Sequence, residues 1–187
     1  MNPLDSSQKA RRYQNLAITA ISGALYAAVG ITTYFGLNFY GVKFWPAVIV
    51  PATIAILFGG RVGGASAALG IFIADIVSHG IALLSLTVGV PSNYIAFYLI
   101  GRFCRQFNIK RYLLVSTIAL AIGSTIIGVG MYLWSQYFPL PFQSELTPLT
   151  FIPALSLIIW TFISEAPFLY IIVPPLVKAI RTRVQVK

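Results

Sequence analysis

Residues 102–111 read RFCRQFNIKR, a run that carries four positive charges between two long apolar stretches. Twelve of the 13 Lys and Arg residues fall in this cluster or at three other places between the apolar stretches or at the chain ends, and only Lys43 lies apart. Because membrane insertion keeps loops rich in Lys and Arg in the cytoplasm, this asymmetry predicts a polytopic membrane protein with both termini inside. The four clusters comprise Lys9, Arg11 and Arg12; Arg61; Arg102, Arg105, Lys110 and Arg111; and Lys178, Arg181, Arg183 and Lys187.

The composition supports the same class of protein. The chain of 187 residues is 58% hydrophobic and only 9% charged, whereas a soluble domain has roughly 25% charged residues. The formal net charge of +9 lies at cytoplasmic helix ends, where anionic lipid accounts for it, so no nucleic-acid partner is predicted. The only cysteine, Cys104, excludes an intramolecular disulfide and a zinc cluster.

The apolar stretches predict an all-α membrane protein with six transmembrane helices in one integral membrane domain over residues 1–187. Residues 81–90 are apolar but too short to span a bilayer, so we expect a partly embedded outer loop before Pro91 restarts the helix. Pro174 and Pro175 predict the end of the last span. The six spans are predicted at about 14–33, 44–59, 62–80, 91–103, 112–136 and 151–177.

Small residues form a regular row on the first span. Ala20, Ala24 and Ala28 follow at four-residue spacing, which places them on one helix face and allows another helix to approach closely. Such a row serves either docking on a partner protein or packing within the bundle, and the residues alone leave both open. The third span is richer still in small residues, which predicts a central, tightly packed helix.

Two carboxylates lie within the predicted spans, Asp75 in the outer part of span three and Glu165 near the middle of span six. A charge in hydrocarbon costs several kcal/mol, so intramembrane acids mark a ligand or ion path by default. His79 lies one turn beyond Asp75 on the same face. Asp75 and His79 therefore form either a structural pair or part of a ligand site.

Aromatic and amide side chains cluster at the outer level of the predicted bundle. Trp160 lies above Glu165, Asn93 and Tyr94 begin span four, and Asn38 lies in the first outer loop. Such aromatics could form an interfacial belt, but a flat surface with a few polar groups also suits a small-molecule pocket. We expect a planar ligand that stacks on Trp160 or Tyr94, is oriented by Glu165 and Asn93, and is covered by the loop of Asn38.

Catalytic motifs are missing from the sequence. It contains no P-loop, no paired-His metal motif and no GxSxG, so we predict neither an enzyme nor a cofactor nor a metal site. The chain cannot hydrolyse ATP, and energy must come from an ion gradient or a partner. Two other functions stay open: a solitary secondary transporter in which Asp75 or Glu165 relays protons, and a non-transporting membrane scaffold that binds no small molecule.

Residues 58–75, FGGRVGGASAALGIFIAD, followed by His79 and Gly80, resemble a signature of the substrate-binding S components of energy-coupling factor (ECF) vitamin transporters. In that family a Gly-rich cytoplasmic turn leads into a small-residue helix that ends in an Ala-Asp pair and a Gly. The row of Ala20, Ala24 and Ala28 resembles the motif with which these proteins dock on the coupling subunit. Gly60 departs from the pattern, since many members carry Pro there.

The resemblance implies a protein that binds one vitamin-like molecule tightly at its outer face, under a lid formed by the first outer loop. It further implies assembly with a transmembrane coupling subunit and two ATPase subunits, and toppling in the membrane to release the ligand inside. The expected location is the plasma membrane of a prokaryote. No signature for a particular vitamin is recognisable in the sequence.

Overall fold

The structure is a computed structural model that describes residues 3–141 and 143–183. Within these residues, a two-stranded antiparallel hairpin of β1 (Asn38–Phe39) and β2 (Val42–Lys43) links the first two of six helices. Five of these helices are long and apolar enough to cross a membrane, and the second is shorter. The predicted all-α membrane bundle is confirmed. The helices are α1 Pro3–Thr33, α2 Pro46–Phe58, α3 Gly60–His79, α4 Ala82–Phe103, α5 Ile109–Ser135 and α6 Phe151–Arg183.

The basic clusters meet at one end of the bundle. Arg181, near the end of α6, donates from Nη2 to the backbone carbonyls of Arg105 at 2.8 Å and Ile56 at 3.4 Å. This contact joins the ends of α2 and α6 to the α4–α5 connection. Lys187, the last member of the fourth cluster, lies outside the described residues. The hairpin and residues 136–141 and 143–150 lie at the opposite end, called the outer end here because the charge rule assigns it to the outside.

Residues 81–90 do not form the predicted loop. The chain is helical from Ala82 onward, and Ser85–Gly89 adopt a π-helical turn ahead of Pro91. Proline lacks an N–H and crowds the carbonyl one turn earlier, and the wider π-helical turn accommodates it. The buried Ser85 hydroxyl donates to Asp75 Oδ2 at 2.7 Å. A tertiary contact therefore stabilises as helix a segment whose sequence alone predicts a break.

The last helix also continues beyond its predicted end. Phe168–Ile172 form a second π-helical turn, and α6 runs past Pro174 and Pro175 to Arg183. Val173, within this stretch, is fully buried in the core. Packing against the bundle thus keeps the chain helical across two prolines at which the sequence predicts the end of the span.

Helix α3 packs between α1 and α4. A Cβ atom at Gly70 would lie 2.6 Å from the carbonyl oxygen of Gly23 in α1. On the other side of the bundle, a Cβ at Gly101 of α4 would lie 2.6 Å from the carbonyl oxygen of Ala55 in α2. Only glycine permits backbones to approach this closely. The predicted central position and tight packing of the third span are therefore confirmed.

The hairpin lies across the outer end of the bundle. Its two turn residues, Tyr40 and Gly41, have φ of 47° and 85°, as a type I′ turn requires in a two-residue hairpin. Asn38 pairs with Lys43 across the two strands. The Lys43 ammonium group donates to the Ser78 hydroxyl near the end of α3, which ties the hairpin to the bundle.

Candidate functional site

A cavity lies at the outer end of the bundle, beneath the hairpin. It contains about 670 Å³ of space not filled by atoms, part of which is open to solvent. Helices α3, α4, α5 and α6 form its walls, and the hairpin and the α5–α6 connection border it. An apolar wall with a few convergent polar groups is the usual anatomy of a small-molecule site. The charged, polar and aromatic lining residues are Lys43, Trp45, Asp75, His79, Asn93 and Glu165.

The cavity brings together four of the seven residues predicted to bind substrate: Asp75, His79, Asn93 and Glu165. They come from three helices, α3, α4 and α6, at positions up to 90 residues apart in the chain. Their grouping was predictable from the sequence. Asp75, His79 and Asn93 lie at the outer level of apolar spans, and Glu165 lies within one.

Asp75 and His79 form a local polar cluster with α4. The His79 Nε2 atom lies 3.7 Å from Asp75 Oδ1, and the Ser85 hydroxyl donates to Oδ2 of the same carboxylate. His79 Nδ1 accepts from the backbone N–H of Ile81 at 3.1 Å, so Nε2 carries the proton that points toward Asp75. Asp75 thus has one hydrogen-bond donor within the chain and the His79 ring beside it, which favours a structural role for the pair.

Asn93 is held in a fixed orientation. Its Oδ1 accepts from the Tyr26 hydroxyl at 2.7 Å, and its Nδ2 donates to the Gly89 carbonyl at 3.0 Å and to the Ser92 hydroxyl at 3.4 Å. Both amide protons are therefore used inside the bundle. What Asn93 can still offer a bound molecule is a lone pair on Oδ1.

Glu165 lines the cavity without a partner: among the described residues no hydrogen-bond donor or cation lies within bonding distance of its carboxylate. It also borders a smaller space of about 220 Å³ deeper in the bundle, together with Asn93, Ser124 and Thr161. The buried Ser124 hydroxyl has no hydrogen-bond partner in the described part of the chain. Glu165 thus stands between an outer cavity and a deeper polar space, with its hydrogen-bonding capacity unused.

Three predicted residues lie outside the cavity lining. Trp160 donates its indole N–H to the Val42 carbonyl at 3.0 Å, so it fastens the hairpin to α6. Tyr94 stacks on Tyr98, with ring centroids 5.9 Å apart and planes at 11°, and 38% of its surface is exposed. Asn38 is exposed in the hairpin.

Two lining residues were missed by the sequence analysis. Trp45 is 5% exposed and meets the Tyr26 ring edge-on at 6.0 Å. The Lys43 ammonium lies 4.7 Å from the centroid of the Tyr34 ring, and burial lowers the pKa of this group, while the Asp75 carboxylate partly offsets the shift. The position of Lys43 as the only cation outside the cytoplasmic clusters was the signal available in the sequence.

The small-residue row on α1 faces away from the bundle. Ala20, Ala24 and Ala28 are exposed, whereas Gly23 and Ala27, one residue back, are buried. The two rows therefore have different surroundings: the buried row packs within the described bundle, and the exposed row lies on its surface.

The fold and the cavity together define a polytopic membrane protein of the binding or transport class. The chain matches the family model described as the ECF transporter, substrate-specific component, over residues 14–177. It therefore belongs to this family, and the resemblance based on residues 58–80 is confirmed. The chain is a substrate-binding subunit of a transporter, and the family implies a small-molecule substrate and partner subunits. A comparison with curated proteins finds no match, and a comparison with solved structures finds none either.

Proposed function

We propose that the chain binds a vitamin or vitamin-like small molecule with high affinity in the outer cavity, for uptake across the plasma membrane of a prokaryote. The observation that carries this proposal is the Glu165 carboxylate, which lines the cavity and has no partner among the described residues. Intramembrane acids are expensive and mark ligand or ion paths by default. A carboxylate left unsatisfied at a cavity wall is suited to a ligand that completes its hydrogen bonds.

The proposed ligand is planar and lies against Trp45, whose ring lines the cavity. Glu165 and Asn93 orient it through their acceptor atoms, and Asp75 and His79 form the outer wall. Trp160 and Asn38 act through the hairpin, which closes the cavity from above. Tyr94, on the outer surface of α4, takes no direct part in binding.

We propose that partner subunits supply the energy for uptake. The exposed row of Ala20, Ala24 and Ala28 docks on the transmembrane coupling subunit, because small residues allow two helices to approach closely in lipid. Two ATPase subunits complete the module, since the sequence contains no nucleotide-binding motif.

The test is uptake of the molecule that co-purifies with the chain, measured in inverted or right-side-out vesicles with and without the coupling subunit and ATPases. The proposal expects uptake only when the whole module and ATP are present. Uptake by the chain alone in ATP-depleted vesicles would instead establish a proton-coupled secondary transporter. If no small molecule binds under any condition, the chain is a scaffold.

A further inference from the structure

The charged side chains that line the outer cavity differ in whether they have hydrogen-bond partners within the described chain. Asp75 accepts a hydrogen bond from Ser85 and lies beside His79. The Lys43 ammonium donates to Ser78. Glu165 alone among these groups has no partner in the described part of the chain. Since the described lining holds one ammonium and two carboxylates, one negative charge is in excess. The attraction between Lys43 and Asp75 leaves that excess at Glu165.

The hydrogen-bonding capacity that remains around Glu165 and Asn93 is that of acceptors. Both amide protons of Asn93 are used within the bundle, which leaves its Oδ1 as an acceptor. The Ser85 proton is used by Asp75. Glu165 in its ionised form only accepts. The donors left at the described wall are the Lys43 ammonium and the Trp45 indole N–H, which is buried without a hydrogen-bond partner. Around Glu165 and Asn93 the wall offers acceptors, and the complement of that part of the cavity is a group rich in N–H donors.

Burial of a lone carboxylate is strongly unfavourable unless a cation or several donors accompany it. No Arg lines the cavity among the described residues, and Lys43 is the only Lys that does. A ligand bearing a carboxylate or phosphate would add a further negative charge to a lining whose described residues already hold the Asp75 and Glu165 carboxylates against the single Lys43 ammonium. Electrostatic complementarity therefore discriminates against anionic ligands.

We propose, on the basis of the function proposed above, that the substrate carries a positively charged nitrogen group which pairs with the Glu165 carboxylate. The substrate class is that of protonated amines, amidines and cationic nitrogen heterocycles on a planar frame. Molecules whose only charged group is a carboxylate or phosphate are disfavoured by the same carboxylate. Charge-assisted pairing with a planar N–H donor set also fixes the orientation of the ligand.

Three isosteric probes test this charge preference: benzamidine, which is cationic, benzamide, which is neutral, and benzoate, which is anionic. Their binding is measured by calorimetry on the full chain in zwitterionic nanodiscs, with empty nanodiscs as the blank. We expect benzamidine to bind at least tenfold more tightly than benzoate to the unmodified chain. Equal or tighter binding of benzoate, or no binding of benzamidine at millimolar concentration, would overturn the inference.

Two matched variants test whether Glu165 is the source of the preference for the cationic probe. Glu165→Gln is expected to lower benzamidine affinity at least tenfold and to change benzamide affinity less than twofold. Glu145→Gln, the same change at an exposed residue of the α5–α6 connection, is expected to change neither. An unaltered benzamidine affinity in Glu165→Gln contradicts the pairing. The comparison of probes on the unmodified chain stands even if that variant does not fold.

The identity of the co-purified molecule separates this inference from the proposed function. A transported molecule that bears only a carboxylate or phosphate would overturn the inference and leave the proposed function intact. If neither a co-purifying molecule nor uptake is found, the proposed function itself fails.

Discussion

Asp75 and Glu165 line the same cavity from different helices, but only Asp75 has a hydrogen-bond partner among the described residues. Asp75 has the Ser85 hydroxyl and the His79 ring as neighbours, whereas Glu165 faces the cavity without a partner in the described residues. The difference separates a residue that stabilises the α3–α4 junction from one that is available to a ligand. From the sequence, Glu165 was the favoured ligand residue and the role of Asp75 stayed open, because partners on other helices cannot be read from spacing.

Asp75→Asn is expected to lower the stability of the fold more than it lowers ligand affinity. The substitution converts a charge-assisted hydrogen bond into a neutral one and removes the attraction to His79, at a cost of about 1 kcal/mol. The melting temperature should fall by roughly 2–4 °C, as measured by thermal unfolding in detergent. Glu145→Gln, which removes an exposed carboxylate, serves as the control. A large loss of affinity with an unchanged melting temperature would assign Asp75 to the ligand instead.

Helical phase explains why some predicted site residues lie in the cavity and others do not. Trp160 precedes Glu165 by five positions, which places the two side chains about 140° apart around α6. Tyr94 follows Asn93 directly, and consecutive residues differ by about 100°. The predicted site rested on the depth of each residue in the membrane and not on this rotation. Depth alone correctly placed four of the seven predicted residues in the cavity lining. The rotation around each helix argues against placing Trp160 and Tyr94 there.

At the scale of elements, the hairpin is held down by the Trp160 indole, which donates to the Val42 carbonyl. Trp160→Phe keeps the ring and removes this hydrogen bond, a loss of about 0.5–1.5 kcal/mol. We expect ligand dissociation to become about two- to tenfold faster in stopped-flow measurements.

Trp134→Phe is the matched control for the hairpin. Its indole N–H donates to the Pro139 carbonyl at 3.1 Å in the α5–α6 connection, so the substitution leaves the bond between Trp160 and the hairpin intact. Dissociation should be unchanged in this variant. Equal acceleration in both variants would mean that general loosening of the outer end, and not release of the hairpin, sets the rate.

The two faces of α1 allow docking to be separated from packing. Ala24 is exposed, so Ala24→Trp places a bulky ring where a partner helix would approach and leaves the cavity untouched. Uptake should be lost while ligand affinity stays within about twofold of the unmodified chain. Ala121→Trp introduces the same ring on an exposed face of α5 and should preserve uptake. A parallel fall of affinity and uptake in Ala24→Trp would show that this face packs within the protein.

The two π-helical turns mark the limit of prediction at this scale. Ser85–Gly89 and Phe168–Ile172 precede prolines at which a regular α-helix would have to end or kink. A sequence shows the proline but not the wider turn that accommodates it, since that turn is stabilised by contacts with other helices. The existence and order of the helices were predictable from hydropathy, and their continuity across these prolines was not.

At the scale of the whole molecule, the distribution of Lys and Arg predicts the orientation in the membrane. Thr147 is exposed in the α5–α6 connection and Gln106 is exposed in the basic α4–α5 connection. Thr147→Cys should react with an impermeant maleimide in intact cells, whereas Gln106→Cys should react only after permeabilisation. The reverse pattern would contradict the orientation with both termini inside.

Both labelling variants need a Cys104→Ala background for a clean comparison. Cys104 is 1% exposed, and burial raises the pKa of its thiol to about 11. Because the thiolate is the reactive form, the native cysteine should label slowly from either side near neutral pH. Its failure to react from outside would therefore carry no information on orientation.

Native mass spectrometry of the purified chain tests the central claim most directly, because it detects a small molecule held in the cavity. The unmodified chain and Glu145→Gln should each retain one co-purified molecule per chain. Glu165→Gln should retain much less, since losing a charge-assisted hydrogen bond costs about 1.5–3 kcal/mol, or roughly tenfold to a hundredfold in affinity. Absence of any bound molecule, or equal retention by Glu165→Gln, would contradict a substrate site built around Glu165.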